Sequence, residues 1–294
     1  MKRKETIIHA KESTTLMEIL LKSMGGMKRN SVKSLLSHRC VYVNGHIETR
    51  YDLTVQSGDE IKIVNQGTKH ELIHPKLHIV YEDDDLIVVE KEVGLLTIAT
   101  RQGSREMTVM SILKNYVRQA NPRAGIYVVH RLDRETSGLL VFAKSQALQE
   151  YMRTYWRELV TERTYVALAE GKFDKEEGTI TTWLTEDSRT TMVYSSPVDN
   201  GGKKAITHYK VVKSNDDYTL LELHLETGRT NQIRVHLASI GHPVVGDRKY
   251  GSGKEPVIDR LALHARILEF IHPATEEKIH FETKVPRPFL AVFH

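Results

Sequence analysis

His130–Leu140 reads HRLDRETSGLL, and this stretch decides the fold. Apolar runs lie on both sides of its polar centre, GIYVV at residues 125–129 and LLVFA at residues 139–143. Such runs predict two buried strands, and the small residues TSG at 136–138 predict a tight turn between them. Asp133 therefore lies on a loop at the edge of a sheet, with an arginine close to it on either side. A carboxylate in that position is well placed for chemistry.

The composition is that of a soluble globular protein: 294 residues, 40% hydrophobic and 27% charged. This length accommodates one large catalytic domain and a small additional one. No apolar run approaches the roughly 20 residues of a membrane span, and no apolar segment follows the basic N-terminus to form a signal peptide. Cys40 is the only cysteine. We therefore expect a cytoplasmic protein without disulfides or a cysteine-based metal site.

A small module is predicted at residues 12–66. Apolar residues recur at helical spacing in 16–21, and a second helix is predicted at 31–36. VYVNG at 41–45 predicts a short strand that ends in an Asn-Gly hairpin turn, and SGDEIKI at 57–63 predicts a turn and a last strand. Basic side chains cluster along the second helix and are candidates for phosphate binding: Lys28, Arg29, Lys33, His38 and Arg39.

A polar stretch at residues 67–76 is predicted to be a linker, and residues 77–294 a catalytic domain. Helical periodicity marks 109–120 and 147–159, and strands dominate from residue 163 onward. A further helix at 233–240 ends at a glycine. Scattered helices among mainly antiparallel strands predict an α+β fold. The net charge of +4 is mildly basic and favours a polyanionic partner.

Three motifs resemble those of the RluA-type pseudouridine synthases. HRLDRETSGLL is similar to the family's central motif H-R-L-D-x-x-T-S-G-L-L, LETGRTNQIR at 225–234 to L-x-T-G-R-T-H-Q-I-R, and RTYVAL at 163–168 to K-x-Y-x-A. The module at 12–66 resembles an S4 RNA-binding domain, in which a basic helix is followed by V-x-V-N-G and G-D-x-I. The resemblance covers the chain from about residue 14 to residue 286.

This resemblance implies an RNA pseudouridine synthase, an isomerase that acts on specific uridines of structured RNA. The reaction breaks the N1–C1′ bond of uridine, turns the base and joins C5 to C1′. Neither electrons nor a second substrate enter, so we expect no cofactor and no metal. The implied partner is RNA, ribosomal RNA ahead of transfer RNA, with no membrane association and a monomeric enzyme.

The resemblance also implies the residues of the active site. Asp133 is the essential carboxylate, acting by attack on C6, by attack on C1′, or by stabilising a glycal-like intermediate. Arg229, at a helix entrance with Thr230 as its N-cap, is expected to pair with Asp133 through its planar guanidinium. Tyr165 is expected to lie against the target base. Arg131 is expected to fill the gap that a flipped-out uridine leaves in the RNA stack.

Three positions depart from the family pattern: Glu92 replaces a proline and is expected to loosen a turn, Arg163 replaces lysine, and Asn231 replaces histidine. His130 of the central motif is expected to donate a hydrogen bond in the turn.

The order of residues excludes a protein kinase catalytic loop, because Leu132 precedes the aspartate and no kinase glycine-rich motif occurs.

Two other classes of function are disfavoured. A metal hydrolase is disfavoured because His74 and His78 flank a proline and no H-E-x-x-H motif occurs. The alternative that remains is an RNA-binding or assembly protein without catalysis. It is disfavoured because Asp133, Tyr165 and Arg229 are all retained.

Overall fold

A computed structural model describes residues 5–24, 29–37, 40–64, 72–99 and 106–293. The chain divides into two compact units, residues 1–71 with 116–123 and residues 72–115 with 124–294. The first half of the predicted linker, 67–71, lies outside the described residues.

The first unit contains two small antiparallel sheets and two helices. Its elements are β1 (Glu5–His9), β2 (Thr14–Thr15), α1 (Leu16–Ser23), α2 (Arg29–Ser37), β3 (Val41–Val43), β4 (His46–Ile47), β5 (Thr54–Val55) and β6 (Glu60–Val64). The larger sheet has the order β1-β6-β3-β4, and β2 pairs with β5. Strand β1 was not predicted from the sequence, and it extends the module on its N-terminal side by pairing along the whole of β6.

The Asn-Gly turn of the first unit is confirmed. Asn44 and Gly45 join β3 to β4 with φ angles of 49° and 82°, the left-handed conformation that such hairpin turns require. The Asn44 amide also donates to Asp59 at 2.8 Å and accepts from the Glu60 backbone N–H at 3.0 Å. These contacts join the segment VYVNG at 41–45 to the segment SGDEIKI at 57–63.

One large mixed sheet dominates the second unit. Its strands are β7 (Leu77–Glu82), β8 (Leu86–Lys91), β9 (Tyr127–Val128), β10 (Ser137–Ala143), β11 (Val160–Glu170), β12 (Glu177–Glu186), β13 (Val193–Ser196), β14 (Lys203–Ser214), β15 (Tyr218–Leu225), β16 (Leu263–Ile271) and β17 (Lys278–Glu282). The order is β13-β12-β14-β15-β11-β16-β10-β8-β7, with β17 beside β16 and β9 beside β10. Neighbouring strands are antiparallel except β10 and β16, which are parallel.

The helices that follow β8 are α3 (Val109–Ala120), α4 (Gln146–Thr154), α5 (Trp156–Leu159), α6 (Gln232–Ser239) and α7 (Arg287–Ala291). Helix α3 agrees with its prediction, whereas the helix predicted at 147–159 is interrupted at Tyr155. The mixed, mainly antiparallel α+β architecture expected from the sequence is confirmed. Among the described residues, no helix has the length and apolar character needed to cross a membrane.

Strand β10 lies at the centre of this unit and explains the glycine of the central motif. All its residues are buried. Gly138 has a φ of 116° and pairs with Ala265 of β16. A Cβ atom at this position would overlap the backbone of Ala265. Only glycine therefore allows β10 to begin immediately after the loop that carries Asp133.

Two histidines are buried among hydroxyl groups in the second unit. The Nδ1 and Nε2 atoms of His264 lie 2.7 Å from Ser137 Oγ and 2.8 Å from Thr283 Oγ1. His236 lies 2.9 Å from the hydroxyls of Thr182 and Thr207. Burial lowers the pKa of His264 to about 3, helped by two nearby arginines, and that of His236 to about 4. Both imidazoles are therefore neutral near pH 7.

These low pKa values make the stability of the second unit depend on pH. The unfolded chain binds a proton at each histidine below about pH 6.5, whereas the folded protein does not until about pH 4 or lower. The free energy of unfolding should therefore fall as the pH decreases from about 6.5 towards 4. Each histidine contributes up to about 1.4 kcal/mol per pH unit.

Urea denaturation across this pH range tests the dependence. His264→Gln should reduce the pH slope, because the amide cannot be protonated. His78→Gln is the matched control, since His78 is exposed on β7. An unchanged slope for His264→Gln would exclude His264 as a source of acid sensitivity.

Candidate active site

Asp133 lies in a cleft of about 760 Å³ formed by residues of the second unit. Its loop is fixed from two sides. The Thr97 hydroxyl donates to the Leu132 carbonyl at 2.8 Å and accepts from the Leu132 N–H at 3.2 Å. The Arg134 carbonyl accepts from the buried Lys91 ammonium at 3.0 Å. The backbone around Asp133 is thus held while its side chain remains one-third exposed to the cleft.

Arg234 is the cation that faces Asp133. Its Nη1 lies 3.4 Å from Asp133 Oδ2. The same guanidinium donates from Nε and Nη2 to the two carboxylate oxygens of Asp247, both at 2.7 Å. It also donates from Nη1 to Asn231 Oδ1 at 3.1 Å, and its central carbon lies 5.1 Å from the centre of the Tyr250 ring. Contacts on several sides therefore fix the orientation of this guanidinium.

Both members of the Arg234–Asp247 pair stay ionised near pH 7. Burial opposes both charges, but the hydrogen bonds and charge of Asp247, together with the charge of Asp133, raise the pKa of Arg234. Likewise, Arg234 and the backbone N–H groups of Tyr250 and Lys249 hold the pKa of Asp247 below its ordinary value despite burial. Asp133 therefore always faces a cation.

The predicted pairing of Asp133 with Arg229 is wrong and is corrected to Arg234. Arg229 Nε donates to the Lys204 carbonyl at 3.2 Å, and no ion pair among the described residues joins Arg229 to Asp133. The N-cap of α6 is Asn231, at a φ of 54°, and not Thr230. This left-handed residue separates the two arginines, so that Arg229 stays in the loop while Arg234 lies in the first helical turn. Both still line the cleft.

Tyr165 of β11 lines the same cleft, as predicted. The register between β11 and β16 shifts between Thr164 and Tyr165. Such irregularities redirect a side chain, here at the edge of the cleft. Burial raises the pKa of Tyr165, with nearby Asp133 adding to this effect and Arg163 opposing it. The side chain is therefore an uncharged aromatic ring, suited to contact with a base.

His130 has a structural role, but as a hydrogen-bond acceptor rather than the expected donor. Its Nε2 atom accepts from the Val141 N–H at 3.2 Å. Burial, with a contribution from Arg163, lowers the pKa of His130 to about 3, so the ring is neutral as an acceptor must be. The ring also packs on Trp156 with centroids 4.9 Å apart. His130 thus joins the loop of Asp133 to β10 and α5.

The other predicted residues fall in different places. Arg131 is exposed and lines the cleft. Arg29 and Lys33 are exposed on α2 of the first unit, where the Lys33 ammonium lies 5.0 Å from the centre of the Tyr51 ring. Lys28, His38 and Arg39 lie outside the described residues.

Glu92 does not loosen its turn. Its backbone N–H, which a proline would lack, donates to the Lys76 carbonyl at 2.9 Å. The replacement therefore adds a hydrogen bond between the start of β7 and the end of β8.

Two groups of described side chains have atoms close enough to bind a metal ion: Asp83, Asp85 and His272, and Glu162, Glu269 and His280. Neither group lines the cleft. Asp83 already accepts hydrogen bonds from Tyr81 and its neighbouring backbone, and Glu269 is paired with Lys278. These contacts account for both groups as structural ion and hydrogen-bond networks.

Comparison with known proteins shows the family to which the chain belongs. Residues 85–239 match the family described as RNA pseudouridylate synthase. The chain is 34% identical over 288 residues to an uncharacterised RNA pseudouridine synthase, YhcT, of Bacillus subtilis (strain 168), covering 96% of this chain and 93% of the relative. It is 36% identical over 280 residues to ribosomal large subunit pseudouridine synthase D of Nitrosomonas europaea, covering 90% and 79%.

The fold comparison agrees. The structure of human RNA pseudouridylate synthase domain containing 1 has a TM-score of 0.58 and 29% identity, covering 73% of this chain and 87% of its own. That of human RNA pseudouridylate synthase domain containing 4 has a TM-score of 0.60 and 23% identity, covering 74% and 91%. The fold is that of a pseudouridine synthase, an RNA-modifying isomerase. The chain belongs to the RNA pseudouridylate synthase family.

The contacts of Arg234 generate a prediction about the chemical step. Arg234→Lys keeps a positive charge but loses the planar group that contacts Asp247 and Asp133 together. We expect the single-turnover rate at saturating enzyme to fall about 100-fold or more, within the range that misplaced catalytic groups produce.

Arg229→Lys is the matched control, because Arg229 lines the cleft but its side chain donates to the Lys204 carbonyl rather than to a carboxylate. Its loss of rate should be much smaller. An equal loss in both variants would show that Arg234 has no special relation to Asp133.

Proposed function

We propose that this enzyme converts uridines of ribosomal RNA to pseudouridine, with Asp133 as the reacting carboxylate. The observation that carries the proposal is the placement of Asp133, one-third exposed in the cleft and 3.4 Å from the guanidinium of Arg234. Ribosomal RNA is favoured over transfer RNA because several relatives of 34–36% identity are named ribosomal large subunit pseudouridine synthase D.

The roles of the residues follow from the needs of the reaction. The cleft volume of about 760 Å³ is within the range of small-molecule sites, so it accommodates an extruded nucleotide. Asp133 acts on that nucleotide while Arg234 orients the carboxylate and offsets its negative charge. Tyr165 packs against the base, and the exposed Arg131 side chain fills the gap in the RNA stack.

The bond that breaks and the bond that forms both lie within a single nucleotide. The N1–C1′ bond breaks, the base turns within the cleft, and the C5–C1′ bond forms. The proton then leaves C5, and N1 gains a proton, so that the product is an isomer of the substrate. A carboxylate and a cation that are held in place by the fold supply preorganised charge for these steps.

Residues 12–66 of the first unit, extended on the N-terminal side by β1, are proposed to be an S4-like RNA-binding module. The features that support it are the order of its elements and the exposed basic face of α2. Such a face contacts phosphate groups and adds affinity without taking part in bond breaking. The proposed enzyme acts in the cytoplasm, as a monomer.

Mapping of pseudouridine in total RNA tests the function. Cells that lack this gene should lose pseudouridine at one or more ribosomal RNA positions, and the wild-type gene should restore it. Asp133→Asn should not restore it, because the amide keeps the shape of the side chain but carries no charge. Loss of pseudouridine only in transfer RNA would overturn the choice of RNA, and restoration by Asp133→Asn would overturn the role of Asp133.

The role of the first unit is tested in the full chain by the double substitution Arg29→Gln and Lys33→Gln. RNA affinity should fall, and the slope of log affinity against log salt should decrease by about 0.7 to 0.9 for each lost phosphate contact. Lys22→Gln is the matched control, since Lys22 is 83% exposed in the same unit but paired with Glu12. An unchanged slope in the double variant would exclude the α2 face from RNA binding.

A further inference from the structure

Helices α4 and α5 form one wall of the cleft, and this wall is attached firmly to the loop of Asp133. Met152 and Leu159 are buried in the same apolar cluster as residues of β10. The Gln149 side-chain amide donates to the Val128 carbonyl of β9 at 2.8 Å. A group bound to this wall is therefore held at a fixed position relative to Asp133.

Two arginines of this wall project into the cleft: Arg153 of α4 and Arg157 of α5. Both are exposed. Tyr155, the residue between the two helices, hydrogen-bonds to both: its N–H donates to the Tyr151 carbonyl at 3.0 Å, and its carbonyl accepts from the Leu159 N–H at 2.9 Å. Within the described parts of the chain, neither guanidinium has an ion-pair or hydrogen-bond partner. Both retain all their donors for a ligand.

Other arginines of the cleft differ in this respect. Arg163 donates to the Leu225 carbonyl, Arg229 to the Lys204 carbonyl, and Arg234 to Asp247. The cleft lining contains six arginines and only three carboxylates. Among the described residues only Arg234 of this set forms an ion pair, and the arginines whose side chains also make no hydrogen bond to the protein are Arg131 of the central motif and the two of the α4–α5 wall.

We propose that Arg153 and Arg157 bind two consecutive phosphate groups of the RNA strand that carries the target uridine. The two side chains lie four residues apart on one wall of the same cleft, and guanidinium groups bind phosphate through paired hydrogen bonds. Extrusion of a nucleotide bends the RNA backbone beside it. Binding of the neighbouring phosphates to a rigid wall stabilises this bent conformation. This inference rests on the proposed function for the choice of RNA as the polyanion.

The experiment measures the affinity of the full-length enzyme for a short RNA stem-loop with uridines in its loop, across a salt series. The double variant Arg153→Gln, Arg157→Gln should bind more weakly. The slope of log affinity against log salt should decrease by about 1.4 to 1.8, the sum expected for two phosphate contacts. The variant with lysine at both positions should keep most of the slope, because lysine also binds phosphate as a point charge.

Arg287→Gln is the control for general loss of charge, because Arg287 is exposed on α7 and does not line the cleft. It should leave the slope unchanged. A slope that is the same in the double glutamine variant as in the wild type would overturn the proposal. So would a glutamine variant and a lysine variant that lose equal slope, since that result indicates a structural role.

Uncharged methylphosphonate linkages locate the contact on the RNA. Neutralising two consecutive linkages beside the reactive uridine should weaken binding by the wild type but add little further loss in the double glutamine variant. Equal losses in both proteins at every linkage would overturn the assignment. Because these measurements need only binding, failure of ribosomal RNA as the substrate would leave the salt slopes intact and be recognised separately.

Discussion

The site depends on one buried ion pair, Arg234 with Asp247. The side chains are 11% and 0% exposed, so both ions are largely removed from water, which costs several kcal/mol for each. Two charge-assisted hydrogen bonds of 2.7 Å offset this cost, and the backbone N–H groups of Lys249 and Tyr250 complete the partners of the acid. Asp247 therefore fixes the position of the Arg234 guanidinium, which is the cation that faces Asp133.

The sheet brings the members of this pair to Asp133 from distant parts of the chain. Asp133 precedes β10, while Arg234 follows β15 across the loop at 226–231. Tyr165 pairs with Leu223 of β15 on one side and with Ala265 of β16 on the other. The close approach of Gly138 to β16 makes this arrangement possible, because it allows the only parallel neighbours among the described strands of this sheet.

Local patterns were sufficient to predict the loop of Asp133, the strand after it and the α+β class. They were insufficient to choose between Arg229 and Arg234, because that choice depends on the left-handed backbone of Asn231 and on the acid Asp247. A signal was available in the sequence, since Arg234 lies one helical turn beyond Asn231 and was part of the recognised motif. Strand β1 was missed because its pairing with β6 spans more than 50 residues.

The arginines of the cleft fall into two groups: Arg234, which is held by the protein and faces Asp133, and the exposed Arg153 and Arg157, which are proposed to bind RNA. Arg234 already makes four hydrogen bonds to protein acceptors and is only 11% exposed, so its position is fixed before RNA arrives. Arg153 and Arg157 are exposed to solvent, and counterions compete for them. Salt should therefore act on the formation of the complex far more than on the reaction within it. RNA binding in the cleft can therefore depend on salt without disturbing the cation that faces Asp133, because Arg234 is held from inside the fold.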